Sequence, residues 1–214
     1  MKTWRDLRFV VIGTGRCGTG YVAKLLQHCG IPTGHEAVFN PFRDGYVALP
    51  DDEIVGECSY MALPYLEPYG FPDTVVVHLV RDPLAVIRSM VGIKYPVADT
   101  EYDTFARNHL PRIAALRHRP LTSAIFWYMN WNLRCEKVAS YRVRVEELTT
   151  LERVRGLLEV LRVDVADEQV LSALKATPTD YNSRQRADVA WDDILLDPFG
   201  RDVVHMADRY GYQH

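Results

Sequence analysis

Apolar and polar positions along the chain form a pattern in which strands and helices alternate. Short apolar runs with β-branched residues at 8–12 and 75–80 predict buried strands. Apolar and polar residues alternate over 141–145, as they do in a strand, and 54–57 is a candidate for one further strand. Apolar residues recur at helical spacing over 21–30, 83–90, 122–139, 152–161, 168–174 and 199–210. Strands that alternate with helices predict an α/β fold, a three-layer sandwich with a mainly parallel central sheet.

The length of the chain and the lack of a linker or an internal repeat predict a single domain that spans residues 1–214. The segment 93–120 has no clean period, and we interpret it as an insertion or lid. A length of 214 residues with 48% hydrophobic content allows one sizeable core. The sequence predicts no signal peptide and no membrane span. Its four cysteines have no metal-ligand spacing, and reduced thiols in a cytoplasmic protein are the simplest account of them.

A glycine-rich loop connects the first predicted strand with the first predicted helix, and its sequence is Gly13-Thr14-Gly15-Arg16-Cys17-Gly18-Thr19-Gly20. Free backbone N–H groups and the dipole of the following helix favour an anion there. Gly13 and Gly18 have the spacing of a Walker A loop, but Thr19 stands where that loop requires lysine. A dinucleotide fingerprint would need an acidic residue at a strand end about 20 residues on, and Glu36 follows no convincing strand. The loop therefore predicts an anion site of another kind.

A second strand-turn-helix unit contains Arg81-Asp82-Pro83 directly after the run 75–80. Asp82 suits the N-cap of a helix, and Pro83 suits its first position. Arg81 lies at the carboxyl end of the strand, where open α/β sheets bind ligands. Ser89 comes seven residues after Asp82 and returns to the same helix face. An arginine fork with a hydroxyl group suits a phosphate monoester.

These two units resemble the donor-binding motifs of PAPS-dependent sulfotransferases, where PAPS is 3′-phosphoadenosine-5′-phosphosulfate. The run 11–22 is similar to the family's 5′-phosphosulfate loop, and Arg16, Cys17, Gly18 and Thr19 match its basic, small, Gly and Ser/Thr places. The run 77–89 is similar to the 3′-phosphate motif. Weaker similarity extends through 141–148, 182–186, 191–193 and 210–212, so the resemblance covers nearly the whole chain.

The resemblance implies a P-loop NTPase-like topology and a set of residues that bind PAPS. They are Gly15, Arg16, Cys17, Gly18, Thr19 and Gly20 for the 5′ end, and Arg81, Ser89 and Arg184 for the 3′-phosphate. Arg16 and the loop N–H groups would stabilise the charge that grows on the leaving nucleotide. The product would be 3′,5′-ADP, and the reaction requires no metal ion.

A hydroxyl or amine acceptor benefits from a general base. Family members that act on sugars commonly use a carboxylate shortly after the first helix, and Glu36 falls in that region. His35 is the rival candidate because other members use a histidine, and Glu57 comes third. The expected acceptor is a small molecule or a carbohydrate. Cys17 could be a reactive thiol beside a helix N-terminus, or merely a small residue that fits the loop.

Charge narrows the class of partner. The net charge of −3 gives no basic field for nucleic acid. The stretch 105–119 contains six basic residues and no acid, namely Arg107, His109, Arg112, Arg117, His118 and Arg119. It could be a basic lid that attracts an anionic acceptor such as an acidic sugar. It could equally be a solvated helix face balanced by Asp99, Glu101 and Asp103, which is the simpler interpretation.

Two alternative functions follow from the same motifs. A P-loop kinase or other NTPase with a degenerate Walker A loop would use Asp82 as its magnesium carboxylate, but the missing lysine argues against it. A nucleotide-binding protein without catalytic activity would bind the donor and transfer nothing.

Overall fold

The computed structural model describes residues 4–42, 53–68, 73–179 and 186–214, so the predicted contact Arg184 lies outside the described residues. Its strands are β1 (Phe9–Ile12), β2 (Thr33–His35), β3 (Gly56–Cys58), β4 (Val75–Val80) and β5 (Tyr141–Arg144). Its α-helices are α1 (Thr19–His28), α2 (Leu63–Leu66), α3 (Pro83–Gly92), α4 (Glu101–His109), α5 (Pro120–Val138), α6 (Leu151–Val160), α7 (Asp167–Ala176), α8 (Trp191–Leu196) and α9 (Gly200–Tyr210). Short 3-10 helices cover Trp4–Asp6, Tyr60–Ala62, Pro111–Leu116 and Val145–Glu147.

The five strands form one sheet in the order β2-β3-β1-β4-β5, and every pair of neighbours is parallel. Val11 at the centre pairs with Cys58 on one side and Val77 on the other. Parallel strands covered by helices bury both faces, and all four residues of β1 are buried. The predicted α/β fold with a parallel sheet and P-loop NTPase-like topology is confirmed.

The strand order also explains why the glycine loop is not a dinucleotide fingerprint. In a dinucleotide-binding fold, the strand that follows the loop and its helix lies beside β1 and carries the acidic residue. Here β2, which ends at His35, pairs with β3 and not with β1. Glu36 is therefore one strand too far along the sheet for that role.

The described residues divide into two compact units, of which the first comprises Met1–Gly13, Cys17–Val80 and Cys135–Asn182 within the described ranges. It contains the whole sheet with α1, α2, α6 and α7. The apolar face of α1 supplies Val22, Leu25 and Leu26 to the core, which Phe9 of β1 and Leu157 of α6 also enter. The helix α1 ends at His28, and Gly30 follows with a φ of 79°, as a helix stop requires.

The second unit comprises Thr14–Arg16, Arg81–Arg134 and the described part of Ser183–His214. It contains α3, α4, most of α5, α8 and α9. Trp127 and Trp131 on α5 stack at 4.2 Å between ring centroids, and Phe105 of α4 meets Trp131 edge-on at 5.7 Å. These aromatic rings are buried core, which is the common role of such a cluster. That the whole chain is one domain stays a prediction.

Three sequence predictions of secondary structure need correction. The strand predicted at 54–57 begins at Gly56, and β2 was not predicted at all. The segment 93–120 contains α4 and a 3-10 helix. The start of α4 has a sequence signal, because Thr100 and Asp103 form a capping box. The helix α5 begins at Pro120 instead of after Thr122 or Ser123, since proline suits the first helical position.

Candidate active site

Two glycines of the loop are required by close contacts within the first unit. A Cβ atom at Gly13 would collide with the Leu79 carbonyl oxygen and would lie 2.7 Å from the Cys17 sulfur. Gly18 has a φ of 105°, and a Cβ atom there would lie 2.8 Å from Cγ2 of Val145. No other residue type accepts both the left-handed backbone and this contact without strain. The loop therefore passes close to the ends of β4 and β5.

Three of the predicted donor-binding residues contact one another within the second unit. The Nε of Arg16 donates a hydrogen bond to Oγ of Ser89 at 2.9 Å. Nη1 of Arg81 donates to the carbonyl oxygen of Arg16 at 3.1 Å. Arg16 has a φ of 71°, an uncommon conformation for a non-glycine residue, and the Arg81 bond helps to hold it. Two guanidinium groups and one hydroxyl group therefore belong to one small hydrogen-bonded network.

The start of α3 fixes the position of this network. Asp82 caps the helix, because its carboxylate accepts hydrogen bonds from the backbone N–H groups of Leu84 and Ala85 at 3.3 and 3.1 Å. The hydroxyl of Tyr128 donates to the Arg81 carbonyl oxygen at 3.4 Å. Asp82 is thus a helix cap, and Arg81 is held through its carbonyl oxygen by Tyr128 and through its side chain by the bond to Arg16.

Two further residues of the second unit were not predicted from the sequence to belong to the site. Thr14 is fully buried, and its hydroxyl oxygen has no hydrogen-bond partner among the described residues. Arg88 precedes Ser89 on α3, and its Nε donates to the Val189 carbonyl oxygen while its own carbonyl accepts from Ala187 N at 3.0 Å. Arg88 therefore fastens the stretch 187–189 to α3. Thr14 lies within the glycine loop and Arg88 within the run 77–89, but neither occupies a position to which the resemblance assigns a contact with the donor.

The candidate bases lie beside the loop in the first unit. His35 ends β2, and its Nε2 is 3.4 Å from Oγ1 of Thr19 in the loop. The same nitrogen is 3.9 Å from Oε1 of Glu36. The two side chains are 34% and 21% exposed, so both are accessible from solvent. The structure thus brings Thr19, His35 and Glu36 into one row of polar groups.

The third candidate base, Glu57, differs in its surroundings. It lies on β3, is 0% exposed, and its Oε1 accepts hydrogen bonds from Ala37 N at 2.8 Å and Val38 N at 3.3 Å. Burial raises the pKa of the neighbouring Cys58 thiol well above its ordinary value, and the charges of Glu57 and Cys17 raise it further. All four cysteines are buried and free of disulfide bonds.

The acidic residues that were expected to balance the positive charge of the stretch 105–119 do so only in part. Arg107 pairs with Asp99 at 3.3 Å, but Asp103 is buried, and its carboxylate accepts a hydrogen bond from the backbone N–H of the N-cap residue Thr100 at 2.6 Å. Arg112 and Arg119 are exposed and pair with no carboxylate among the described residues. Both interpretations of this stretch, acceptor lid and solvated face, stay open.

Two features are absent from the described ranges. No group of three or more His, Cys, Asp or Glu side chains there could hold a metal ion. None of the helices in the same ranges is both long and apolar enough to cross a membrane.

The parallel sheet has this strand order, with a glycine loop after its central strand β1 and an Arg-Asp-Pro turn after the adjacent strand β4. This arrangement defines a P-loop-like α/β protein. No protein-family model and no curated protein sequence matches the chain. Among solved structures, the chain is similar to the sulfotransferase domain of the Synechococcus PCC 7002 olefin synthase. The TM-score is 0.57 and the identity 14%, over 97% of this chain and 95% of that one. The chain therefore has the sulfotransferase fold.

A second similar structure is that of the mouse sulfotransferase SULT7A1 complexed with PAP. The identity is 11% and the TM-score 0.42, over 98% of this chain and 91% of that one.

Proposed function

We propose that this protein is a sulfotransferase that transfers a sulfuryl group from PAPS to a hydroxyl or amine group of an acceptor. One observation carries the proposal: Arg16, assigned to the 5′ end of the donor, shares hydrogen bonds with Ser89 and Arg81, assigned to its 3′-phosphate. A ligand with two anionic groups on one nucleoside needs basic groups close to each other. A triphosphate would instead need the Walker lysine, for which the chain has Thr19.

The residues fit the charge of the donor. Arg16 and the backbone N–H groups of 15–20 would bind the 5′-phosphosulfate, and Arg81 with Ser89 would bind the 3′-phosphate. In the reaction, the acceptor atom forms a bond to sulfur while the bond between sulfur and the bridging phosphate oxygen breaks. Negative charge develops on that oxygen, and Arg16 stabilises it. The products are the sulfated acceptor and 3′,5′-ADP, and no step requires a metal ion.

The acceptor must lose a proton during the transfer, and we assign its removal to Glu36. Its carboxylate is partly exposed and lies on the first residue after β2, beside the His35–Thr19 contact. Conversion of Glu36 to Gln removes the base and keeps the size of the side chain. We expect kcat to fall about 10²–10⁴-fold. His35→Gln should have a smaller effect, and a larger one would transfer the assignment to His35.

Calorimetry tests the nucleotide. We expect 3′,5′-ADP to bind more tightly than ATP with magnesium, and the reverse order would support a kinase or other NTPase. Arg81→Ala should weaken 3′,5′-ADP binding about 10- to 100-fold, since hydrogen bonds to charged groups contribute about 1.5–3 kcal/mol. Arg119→Ala is the matched control, because Arg119 is exposed.

Incubation of ³⁵S-labelled PAPS with a panel of hydroxyl and amine acceptors tests the activity. Transfer of label supports the proposal. Tight binding of 3′,5′-ADP without transfer to any acceptor would instead support a nucleotide-binding protein that lacks catalytic activity.

A further inference from the structure

A buried carboxylate lies directly beneath the turn that carries Glu36. Glu57 occupies the middle of β3, where its backbone pairs with Gly34 of β2 and Val10 of β1. The side chain is 0% exposed. A Cβ atom at Gly34 would collide with Oε2 of Glu57, so the carboxylate lies in space that only glycine at 34 leaves open. A charged group buried in a sheet is costly unless it makes strong hydrogen bonds.

The hydrogen bonds of Glu57 come from the backbone of the turn 36–38. Three successive backbone N–H groups of this turn donate to acceptors on β3. Glu36 N donates to the Cys58 carbonyl oxygen at 3.3 Å, and Ala37 N and Val38 N donate to Oε1 of Glu57 at 2.8 and 3.3 Å. Glu36 itself has a φ of 51°. A non-glycine residue stays in this left-handed region only where its surroundings fix it.

We infer that Glu57 is a positioning residue, which fixes the turn 36–38 and thereby directs the Glu36 carboxylate toward His35 and the acceptor. This inference rests on the proposed function, in which Glu36 is the base. Glu57 is not itself the base, because a side chain with no exposed surface has no path to the acceptor. The bond from Ala37 N, at 2.8 Å, has the length of a charge-assisted hydrogen bond, and both bonds act on the residues directly after Glu36.

Kinetics of four variants test the inference. Glu57→Gln retains an oxygen that accepts both N–H groups, so we expect kcat within about 3-fold of wild type. Glu57→Leu removes both acceptors, and we expect kcat to fall about 10- to 100-fold while the KM for PAPS and the affinity for 3′,5′-ADP stay within about 2-fold. The double variant Glu57→Leu/Glu36→Gln should be no slower than Glu36→Gln alone, because Glu57 acts through Glu36.

Two kinetic results for the Glu57 variants would overturn the inference. If Glu57→Gln lowers kcat as much as Glu36→Gln does, then Glu57 takes part in proton transfer itself. If the losses in the double variant multiply, then Glu57 acts by a route independent of Glu36. Gly34→Ala is a second variant in case Glu57→Leu does not fold. Its Cβ would displace the same carboxylate, and we expect a loss of kcat in the same range; wild-type kcat in Gly34→Ala would count against the inference.

A spectroscopic measurement separates this inference from the proposed function. NMR signals of the His35 ring report the nearby Glu36 carboxylate, which lies 3.9 Å away. We expect Glu57→Leu and Glu36→Gln to shift these signals, and Glu57→Gln to leave them close to wild type. If no acceptor is sulfated, the proposed function fails, while this pattern would still support the positioning of Glu36 by Glu57. Unchanged His35 signals in Glu57→Leu would overturn the positioning whatever the activity.

Discussion

Substitution of Arg16 separates the backbone conformation of the glycine loop from the chemistry of its cation. Arg16→Ala and Arg16→Gly both remove the guanidinium, which donates to Ser89 and which we assign to charge stabilisation in the transition state. Loss of one such group typically lowers kcat by about 10²–10³-fold. We therefore expect the two variants to lose sulfuryl transfer equally, in an assay with labelled PAPS.

Their stabilities should differ, and the difference follows from the φ of 71° at position 16. Alanine in this left-handed region costs about 1–2 kcal/mol, which glycine avoids. Glycine in turn loses about 0.5–1 kcal/mol more conformational entropy on folding. Urea titrations should therefore give Arg16→Gly a free energy of unfolding up to about 1.5 kcal/mol above that of Arg16→Ala. A lower free energy of unfolding for Arg16→Gly than for Arg16→Ala would refute the left-handed loop, and transfer within about 3-fold of wild type would refute the assigned chemistry.

Three further predictions concern stability. Gly18→Ala should lower the free energy of unfolding by about 2 kcal/mol, because the φ of Gly18 is 105° and a Cβ atom there would be too close to Val145. Gly156→Ala is the control, because Gly156 lies on α6 with open space around it. This substitution should raise the free energy of unfolding by up to about 1 kcal/mol. The raised pKa of Cys58 gives a contribution to stability that is complete below the ordinary thiol value of about 9 and is lost as pH rises toward the folded value. Urea titrations from pH 7 to 10 should therefore show stability falling above pH 9, and less steeply in Cys58→Ala; an equal slope in both would contradict this cause. Arg81→Ala should also lower the melting temperature, since the bond to the Arg16 carbonyl is lost, and an unchanged melting temperature would mean that this bond contributes nothing.

The parts of the fold that the sequence predicted are those with local signals. The run 75–80 consists of five aliphatic residues and His78, and the structure has strand β4 with the same bounds. The Asp82-Pro83 pair marked the start of α3 correctly. In contrast, β2 contains only Thr33, Gly34 and His35, which is too short for any period. It is a strand because β3 pairs with it, and a pairing partner 23 residues away is not visible in a local pattern.

The candidate site divides in the same way. The two phosphate-type motifs are local sequence patterns, and the contact between Arg16 and Ser89 joins residues that both motifs had already singled out. The positioning role of Glu57 could not be predicted from the sequence, because its hydrogen-bond partners Ala37 and Val38 lie 20 and 19 residues away along the chain. Carboxylates in a strand look alike whether they face solvent or a neighbouring turn. Only the register of β3 against β2 decided that Glu57 lies beneath Ala37.

The central place of β1 in the sheet has a consequence for synthesis of the chain. Its four apolar residues leave the ribosome before the strands on both sides of it, the second of which ends at Val80. At about 5–20 residues per second, that interval lasts about 3–14 s. During this time Phe9–Ile12 is an unpaired hydrophobic strand on a nascent chain. We therefore expect a holdase chaperone to raise the yield of newly made folded protein and to leave the free energy of unfolding of the folded form unchanged.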